Sequence, residues 1–262
     1  MNVRAATSAR GISLRLPAGL LLAATVGLAT LLHVVLALKS PAPWVVPDEI
    51  RHSELAKSLA TGLPEIRGRM TFEFGLGYPA LLAPTFALFD DVSTAYAVAK
   101  ALNAFVLGLT ALPAYFLARR FLDEARALVV SLLTVSVPSL LYAGTLMTEV
   151  ALYPAFVLSL LAIALALDRP SRGTQIGALS AIALASSVKL LAAALVVGYV
   201  AAILLFHGLE TRRGDAWRAR LRAYGPSWVG LAAIAVALGG ATAATGRSPL
   251  EALGTYEFVL RH

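Results

Sequence analysis

The sequence contains no cysteine in 262 residues, and only 14% of its residues are charged. The lack of cysteine excludes disulfides and thiolate chemistry. Soluble domains carry about a quarter charged residues, so the shortage of charge excludes an ordinary water-exposed globule. Hydrophobic residues make up 58% of the chain, and its mean hydropathy is +0.76. The composition therefore indicates a membrane protein.

The long apolar runs also lack the alternation of apolar and polar residues that is typical of transmembrane barrel strands. Runs of roughly 18 residues can cross a bilayer as helices, whose backbone groups are bonded internally. We predict an all-α fold, a polytopic transmembrane helix bundle with about seven spanning helices. The predicted spans are residues 17–38, 95–117, 127–147, 150–167, 174–188, 190–206 and 226–244.

The first apolar run follows three arginines, Arg4, Arg10 and Arg15. A cleaved signal peptide is the alternative interpretation, but its apolar core is only about 7–15 residues long. The greater length of this run favours a retained helix.

Basic residues are distributed unevenly among the predicted loops. With the N-terminus inside, the N-terminal segment and the hairpins 118–126, 168–173 and 207–225 hold thirteen of the twenty-two Lys and Arg residues. Positive residues concentrate on the cytoplasmic side, so this pattern predicts a cytoplasmic N-terminus and an outer loop at residues 39–94. The net charge of +7 is thus explained by topology, and we predict no binding of nucleic acid.

The outer loop opens with the densely charged stretch WVVPDEIRHSE at residues 44–54. Within it, PDEIRHSELAKSLA is typical of a helix start, with Asp48 as N-cap and Glu49 in the first turn. Spacing alone leaves open whether Asp48 caps the helix, takes part in catalysis or does both.

Two elements of the outer loop are expected at the membrane surface. The helix that starts at PDE would turn Ile50, Leu55 and Leu59 toward lipid as an amphipathic surface helix. The segment YPALLAPTFALF, residues 78–89, is too short to span and fits a re-entrant or interfacial helix. Asp90–Asp91 are predicted to cap the helix that follows.

Three further ionisable residues are candidates for function. Glu149 is isolated in the nearly uncharged SLLYAGTLMTEVALYPAFVL, which favours function over a mere preference of carboxylates for helix starts. Lys189 interrupts an apolar stretch and either snorkels or binds a phosphate head group. His52 is either a solvated surface histidine or, with the carboxylates beside it, a ligand of a divalent metal.

The order of these segments is that of a known family. The PDE stretch with its surface helix is followed by YPALLAP, AYAVAKALNAFVLGLTALPAYFLARRF and LMTEVALYPAFVLSLLAIALAL. In this order the chain resembles the membrane glycosyltransferases of the GT-C superfamily, close to the dolichyl- or polyprenyl-phosphate-mannose protein mannosyltransferases and the lipid A aminoarabinose transferases. The resemblance covers about residues 20–210 and implies a core of seven helices.

The resemblance also implies roles for particular residues. The catalytic base of the family is an acidic residue in the first outer loop, which falls here on Asp48 and Glu49, and a second outer acidic residue matches Glu149. Lys189 stands where a basic residue of the family binds the carrier phosphate. We also assign phosphate binding to Arg51 and Tyr78.

The activity implied is inverting transfer of a sugar from a polyprenyl-phosphate carrier to an acceptor hydroxyl of a lipid, glycan or protein. The expected location is the plasma or inner membrane, with the active face extracytoplasmic and in contact with membrane lipids. A divalent metal, held in part by His52, is left open as a cofactor.

Two alternatives from other classes stay open. A lipid or solute transporter would have charged or broken helices at the bilayer midplane and paired halves, and neither is evident. The second alternative is a non-catalytic subunit or a truncated fragment, because members of the family that the chain resembles continue with further helices and often a soluble domain. We expect residues 1–262 to form a single transmembrane domain without those C-terminal parts.

Overall fold

The computed structural model describes residues 17–39, 47–71, 75–136, 144–210 and 221–245. In these ranges the chain is mostly helical, as predicted. The helices are α1 (Ala18–Leu38), α2 (Pro47–Thr61), α3 (Gly77–Leu88), α4 (Val92–Gly108), α5 (Ala111–Ala118), α6 (Glu124–Ser136), α7 (Glu149–Asp168), α8 (Arg172–Val188), α9 (Ala194–Glu210) and α10 (Gly225–Thr245). A 3-10 turn, Leu190–Ala193, links α8 to α9, and β1 (Glu65–Ile66) pairs antiparallel with β2 (Arg69–Met70).

Three of the described segments are long and apolar enough to cross a bilayer: Ala18–Leu38, Val92–Ala118 and Glu149–Asp168. The second combines α4 and α5, which are separated only by a turn at Leu109 and Thr110. These segments correspond to the first, second and fourth predicted spans. The other predicted spans contain α6, α8 and α9, which have at most 17 residues, and α10, of which Gly225–Ala237 counts as a shorter apolar helix, so seven crossings stay a prediction.

Several predictions concern segments outside the described residues. These are the arginine-rich start (1–16), part of the third predicted span (137–143), most of the basic loop (211–220) and the end of the chain (246–262). For these segments the expected topology rests on the sequence alone.

Small residues allow the helices to approach one another closely. A Cβ added at Gly108 of α4 would lie 2.7 Å from Thr30 Oγ1 of α1. Association of helices in lipid depends on such close van der Waals packing. Buried alanines are frequent on α1, α4, α5, α7 and α8: Ala29, Ala37, Ala95, Ala99, Ala104, Ala111, Ala114, Ala151, Ala155, Ala166, Ala178, Ala181 and Ala185.

Helix α2 packs against α3. Its buried residues are Glu49, His52, Leu55 and Ala56. The prediction that Leu55 faces lipid is therefore wrong. The prediction failed because the buried face of α2 contains the carboxylate of Glu49 and the imidazole of His52. A face with these polar groups is not recognisable from its hydrophobicity.

The helix starts around the outer loop were predicted with mixed success. Because α2 begins at Pro47, Asp48 lies inside its first turn, and the prediction that Asp48 is the N-cap is wrong. Proline is favoured at a first helical position, where its missing N–H would be unbonded anyway. Asp91 caps α4 as predicted, since its Oδ2 accepts a hydrogen bond from the Thr94 N–H at 2.8 Å.

Candidate active site

An ion pair joins two residues that the sequence singled out separately. Lys189 Nζ lies 2.7 Å from Glu149 Oε1, and the two side chains are 28% and 29% exposed. Glu149 is the first residue of α7, and Lys189 is the C-cap of α8. The Thr148 hydroxyl donates to Glu149 Oε2 at 3.2 Å. A cation and a carboxylate thus meet where α7 begins and α8 ends, and both remain accessible to a substrate.

Two glycines bring the start of α3 against the end of α8. A Cβ at Gly75 would lie 2.5 Å from the Val188 carbonyl oxygen, and one at Gly77 would lie 2.4 Å from Ser187 Oγ. Glycine permits this approach because it has no Cβ. The predicted outer loop is consequently held against the residues that immediately precede Lys189.

The neighbouring carboxylates of Asp48 and Glu49 lie in different environments. Consecutive residues are about 100° apart around a helix of 3.6 residues per turn. The Asp48 side chain is 56% exposed, and its Oδ1 lies 3.7 Å from Arg51 Nη1. Glu49 is only 1% exposed. Of the two, Asp48 is the carboxylate that an incoming substrate can reach.

Glu49 is bonded inside the protein. The Tyr96 hydroxyl donates to its Oε1 at 2.5 Å, and the Leu146 N–H donates to the same oxygen at 3.0 Å. A buried carboxylate is costly unless such partners compensate its lost hydration. Glu49 therefore links α2 both to α4 and to the segment that leads to Glu149.

His52 is close enough to feel the charges of both the exposed carboxylate and the ion pair. The histidine is buried, and its ring meets that of Tyr78 edge-on at 5.4 Å between centroids. The charges of Asp48, Glu149 and Lys189 all act on the imidazole. Burial lowers the pKa of His52 from its usual 6.5, while the carboxylates of Asp48 and Glu149 act to raise it. Because the pKa is lowered, the imidazole is neutral at neutral pH.

A polar stripe on α4 completes the surroundings of the site. Tyr96, Lys100 and Asn103 are all buried, and their spacing puts them on one helix face. The Asn103 amide donates to the Tyr78 hydroxyl at 2.8 Å and to the Thr145 carbonyl at 3.1 Å. This stripe was not predicted from the sequence, although a lysine and an asparagine within an apolar run are the signal that could have identified it.

The lysine of the stripe joins two spanning segments. Lys100 Nζ donates to the Ala37 carbonyl at the end of α1, at 2.9 Å. It also lies 4.7 Å from the centroid of the Tyr96 ring, within the range of a cation–π interaction. Lys100 thereby fixes α1 against the part of α4 that supports Glu49.

Two further predicted site residues, Arg51 and Tyr78, differ in their exposure. Arg51 is exposed beside Asp48, and Tyr78 is fully buried behind His52. Their contacts with a carrier phosphate stay predictions. In the described part of the chain, no group of three or more His, Asp or Glu side chains could hold a metal ion. We therefore derive no step through a metal at His52.

An apolar groove of about 520 Å³ is lined in part by residues that neighbour the ion pair in sequence. Gly77, Ala151 and Val188 line one part of it, and it continues along α7 to Leu161 and along α5 to Phe116. From residue 151 to residue 161, a rise of 1.5 Å per residue gives a length of about 15 Å. This shape and lining suit a hydrocarbon chain whose polar end meets the ion pair.

Residues 75–239 match the model of a family described as dolichyl-phosphate-mannose-protein mannosyltransferase. No curated protein and no solved structure matches the chain. The matched range contains Glu149 and Lys189, whereas α2 with Asp48 lies before it.

Proposed function

Because the chain belongs to the dolichyl-phosphate-mannose-protein mannosyltransferase family, we propose that it transfers a sugar from a polyprenyl-phosphate carrier to an acceptor hydroxyl, with inversion. The acceptor is a lipid, a glycan or a protein. Membership in the family makes the chain a membrane glycosyltransferase of the GT-C type. The donor, the stereochemistry and the side of the membrane are the parts that we propose.

One observation supports the proposed donor above all others: Ala151 and Val188, close in sequence to the ion pair of Glu149 and Lys189, line the apolar groove. A polyprenyl-phosphate sugar has a long apolar tail and an anionic head, and the groove and Lys189 match these two parts. An ammonium group has three N–H donors, so bonding to Glu149 is compatible with bonding to a phosphate oxygen.

Asp48 is the proposed general base. The acceptor oxygen attacks the anomeric carbon while its proton passes to the Asp48 carboxylate. The bond from the anomeric carbon to the phosphate oxygen breaks, and the polyprenyl phosphate leaves with the electron pair. Lys189 stabilises the negative charge of the leaving phosphate. Attack from the side opposite the leaving group inverts the anomeric configuration.

Contacts between helix ends support alternate crossing by the helices up to α8, with an extracytoplasmic site. Alternate crossing puts the outer loop, the start of α7 and the end of α8 on one side, where Glu149 pairs with Lys189. It puts the turn after α5 and the end of α7 on the other side, where Arg120 pairs with Asp168. The distribution of basic residues makes that second side cytoplasmic.

The donor can be tested by binding of polyprenyl phosphate to the purified protein. Lys189→Ala should weaken binding by roughly ten- to a hundred-fold, because a charge-assisted hydrogen bond contributes about 1.5–3 kcal/mol. Lys57→Ala is the matched control, since Lys57 is an exposed lysine of α2 outside the groove. Equal binding by the parent and Lys189→Ala would refute phosphate recognition by Lys189.

A further inference from the structure

Residues 144–148 run through the site outside any helix or strand, and two side chains bond their backbone. Asn103 donates to the Thr145 carbonyl at 3.1 Å, and Glu49 accepts from the Leu146 N–H at 3.0 Å. Buried backbone groups outside regular structure need partners of this kind. Two consecutive residues of the segment are thus fixed by α4 and α2.

Glu49 and Asn103, which bond the backbone of this segment, are themselves held in place. Tyr96 and Asn103 lie seven residues apart on one face of α4, and Tyr96 donates to the Glu49 carboxylate. The fully buried Leu146 side chain belongs to the same hydrophobic cluster as Tyr78 and Tyr96. Three residues after Leu146, the segment ends at the carboxylate of the ion pair.

We propose that Glu49 and Asn103 are positioning residues that clasp residues 144–148 and so fix Glu149 in place for sugar transfer. This inference rests on the proposed function. Glu49 is buried and bonded to two donors, so it acts through the segment, whereas Asp48 faces the acceptor. The adjacent acidic residues of the PDE stretch therefore have different roles.

A cysteine reporter tests the clasp without any need for transfer activity. The chain has no native cysteine, so Met147→Cys introduces one half-buried thiol into the clasped segment. Adding Glu49→Ala should speed its labelling by a thiol reagent roughly ten-fold, as expected from the loss of about 1.4 kcal/mol of hydrogen bonding. Glu49→Gln keeps an acceptor oxygen, so its labelling should stay within about two-fold of the parent.

Kinetics then separate positioning from a merely structural role. In Glu49→Ala the kcat of sugar transfer should fall roughly ten- to a hundred-fold, because small misplacements reduce catalysis steeply. The KM for the lipid-phosphate donor should stay within about two-fold, since Lys189 is unchanged. Glu49→Gln should restore kcat to within about three-fold of the parent.

Asn103→Leu provides a second variant in case the Glu49 variants fold poorly. It removes the bond to Thr145 and should raise labelling of Met147→Cys in the same way. Unchanged labelling in both Glu49→Ala and Asn103→Leu would overturn the clasp. The clasp would also be overturned if the kcat of Glu49→Gln were as low as that of Glu49→Ala. If the parent transfers no sugar but labelling follows the predicted order, the clasp is supported and the proposed function alone is refuted.

Discussion

The two ends of the helix bundle are held together by different kinds of polar interaction. At the site end, hydrogen bonds join residues far apart in sequence, such as Glu49 with Leu146 and Glu149 with Lys189. At the opposite end, Ser171 and Thr174 form a capping box within one turn. Arg120 pairs there with Asp168, whose side chain is half exposed. Buried long-range hydrogen bonds also occur at this end, but those of Gln175 with Ser227 and of Tyr224 with Ala166 join neutral groups.

This contrast distinguishes local and neutral interactions, which stabilise the bundle, from interactions of ionisable groups that build a site. A local cap bonds free N–H groups at a helix start and is largely independent of the rest of the fold. The long-range bonds at the site end bury or half-bury ionisable groups, which are costly in a membrane protein unless they serve function. Substitutions at the two ends should therefore have different consequences.

The largest effect is expected at Asp48. Asp48→Asn is nearly isosteric but cannot accept a proton, so sugar transfer should fall roughly a hundred-fold or more. At the opposite end, Asp123→Asn should leave transfer within about two-fold of the parent, because Asp123 pairs only locally with Arg126 among the interactions described. Initial rates of sugar transfer by both folded variants measure the difference. Full activity of Asp48→Asn would exclude Asp48 as the base.

The next effect concerns close packing at the site end. Gly77→Ala puts a Cβ against Ser187, and overpacking of this kind typically costs about 1–3 kcal/mol. Gly177→Ala in α8 is the matched control, because no atom outside its own helix lies within 4 Å of the added Cβ. It should be neutral or stabilise the helix by about 0.5–1 kcal/mol. Thermal unfolding in detergent compares the two, and equal stability of both variants would contradict the close contact.

A smaller effect is expected from the cap at the opposite end. Ser171→Ala removes the acceptor for the Thr174 N–H and should cost about 1 kcal/mol of stability. Sugar transfer by the folded variant should be unchanged. Loss of activity without loss of stability would show that this end also contributes to the site.

The smallest effect is a dependence of stability on pH that arises from His52. Because burial lowers its pKa in the folded protein, the unfolded chain binds more protons just below pH 6.5. The free energy of unfolding should rise as pH increases toward 6.5 and level off above it. His52→Gln should reduce this slope, and the same slope in parent and variant would contradict the burial of a neutral imidazole.

The sequence was informative where a single residue interrupts an apolar run. Glu149 and Lys189 stood out for this reason, and the structure places them in contact. The helices were predictable from long apolar segments, which the bilayer requires to be internally hydrogen-bonded. The cap at Asp91 was predictable because it depends only on local residues.

Other features depended on tertiary contacts that no local pattern reveals. The burial of Leu55 and Glu49 follows from the packing of α2 against α3 and from the hydrogen bond of Glu49 with Tyr96 of α4, not from the composition of α2. The different environments of Asp48 and Glu49 were not predicted, because both residues fit a first helical turn equally well. The hydrogen bond from Asn103 to Thr145, 42 residues away, is likewise a tertiary contact that no local pattern reveals.

Labelling of single cysteines tests most directly whether the site end is extracytoplasmic and the capped end cytoplasmic. The native chain has no cysteine, so Ser53→Cys in α2 and Gly173→Cys at the start of α8 can be compared without background. A membrane-impermeant thiol reagent should label Ser53→Cys in intact cells, whereas Gly173→Cys should react only after permeabilisation. Reaction of Gly173→Cys alone in intact cells, or of both cysteines equally, would contradict an extracytoplasmic active site.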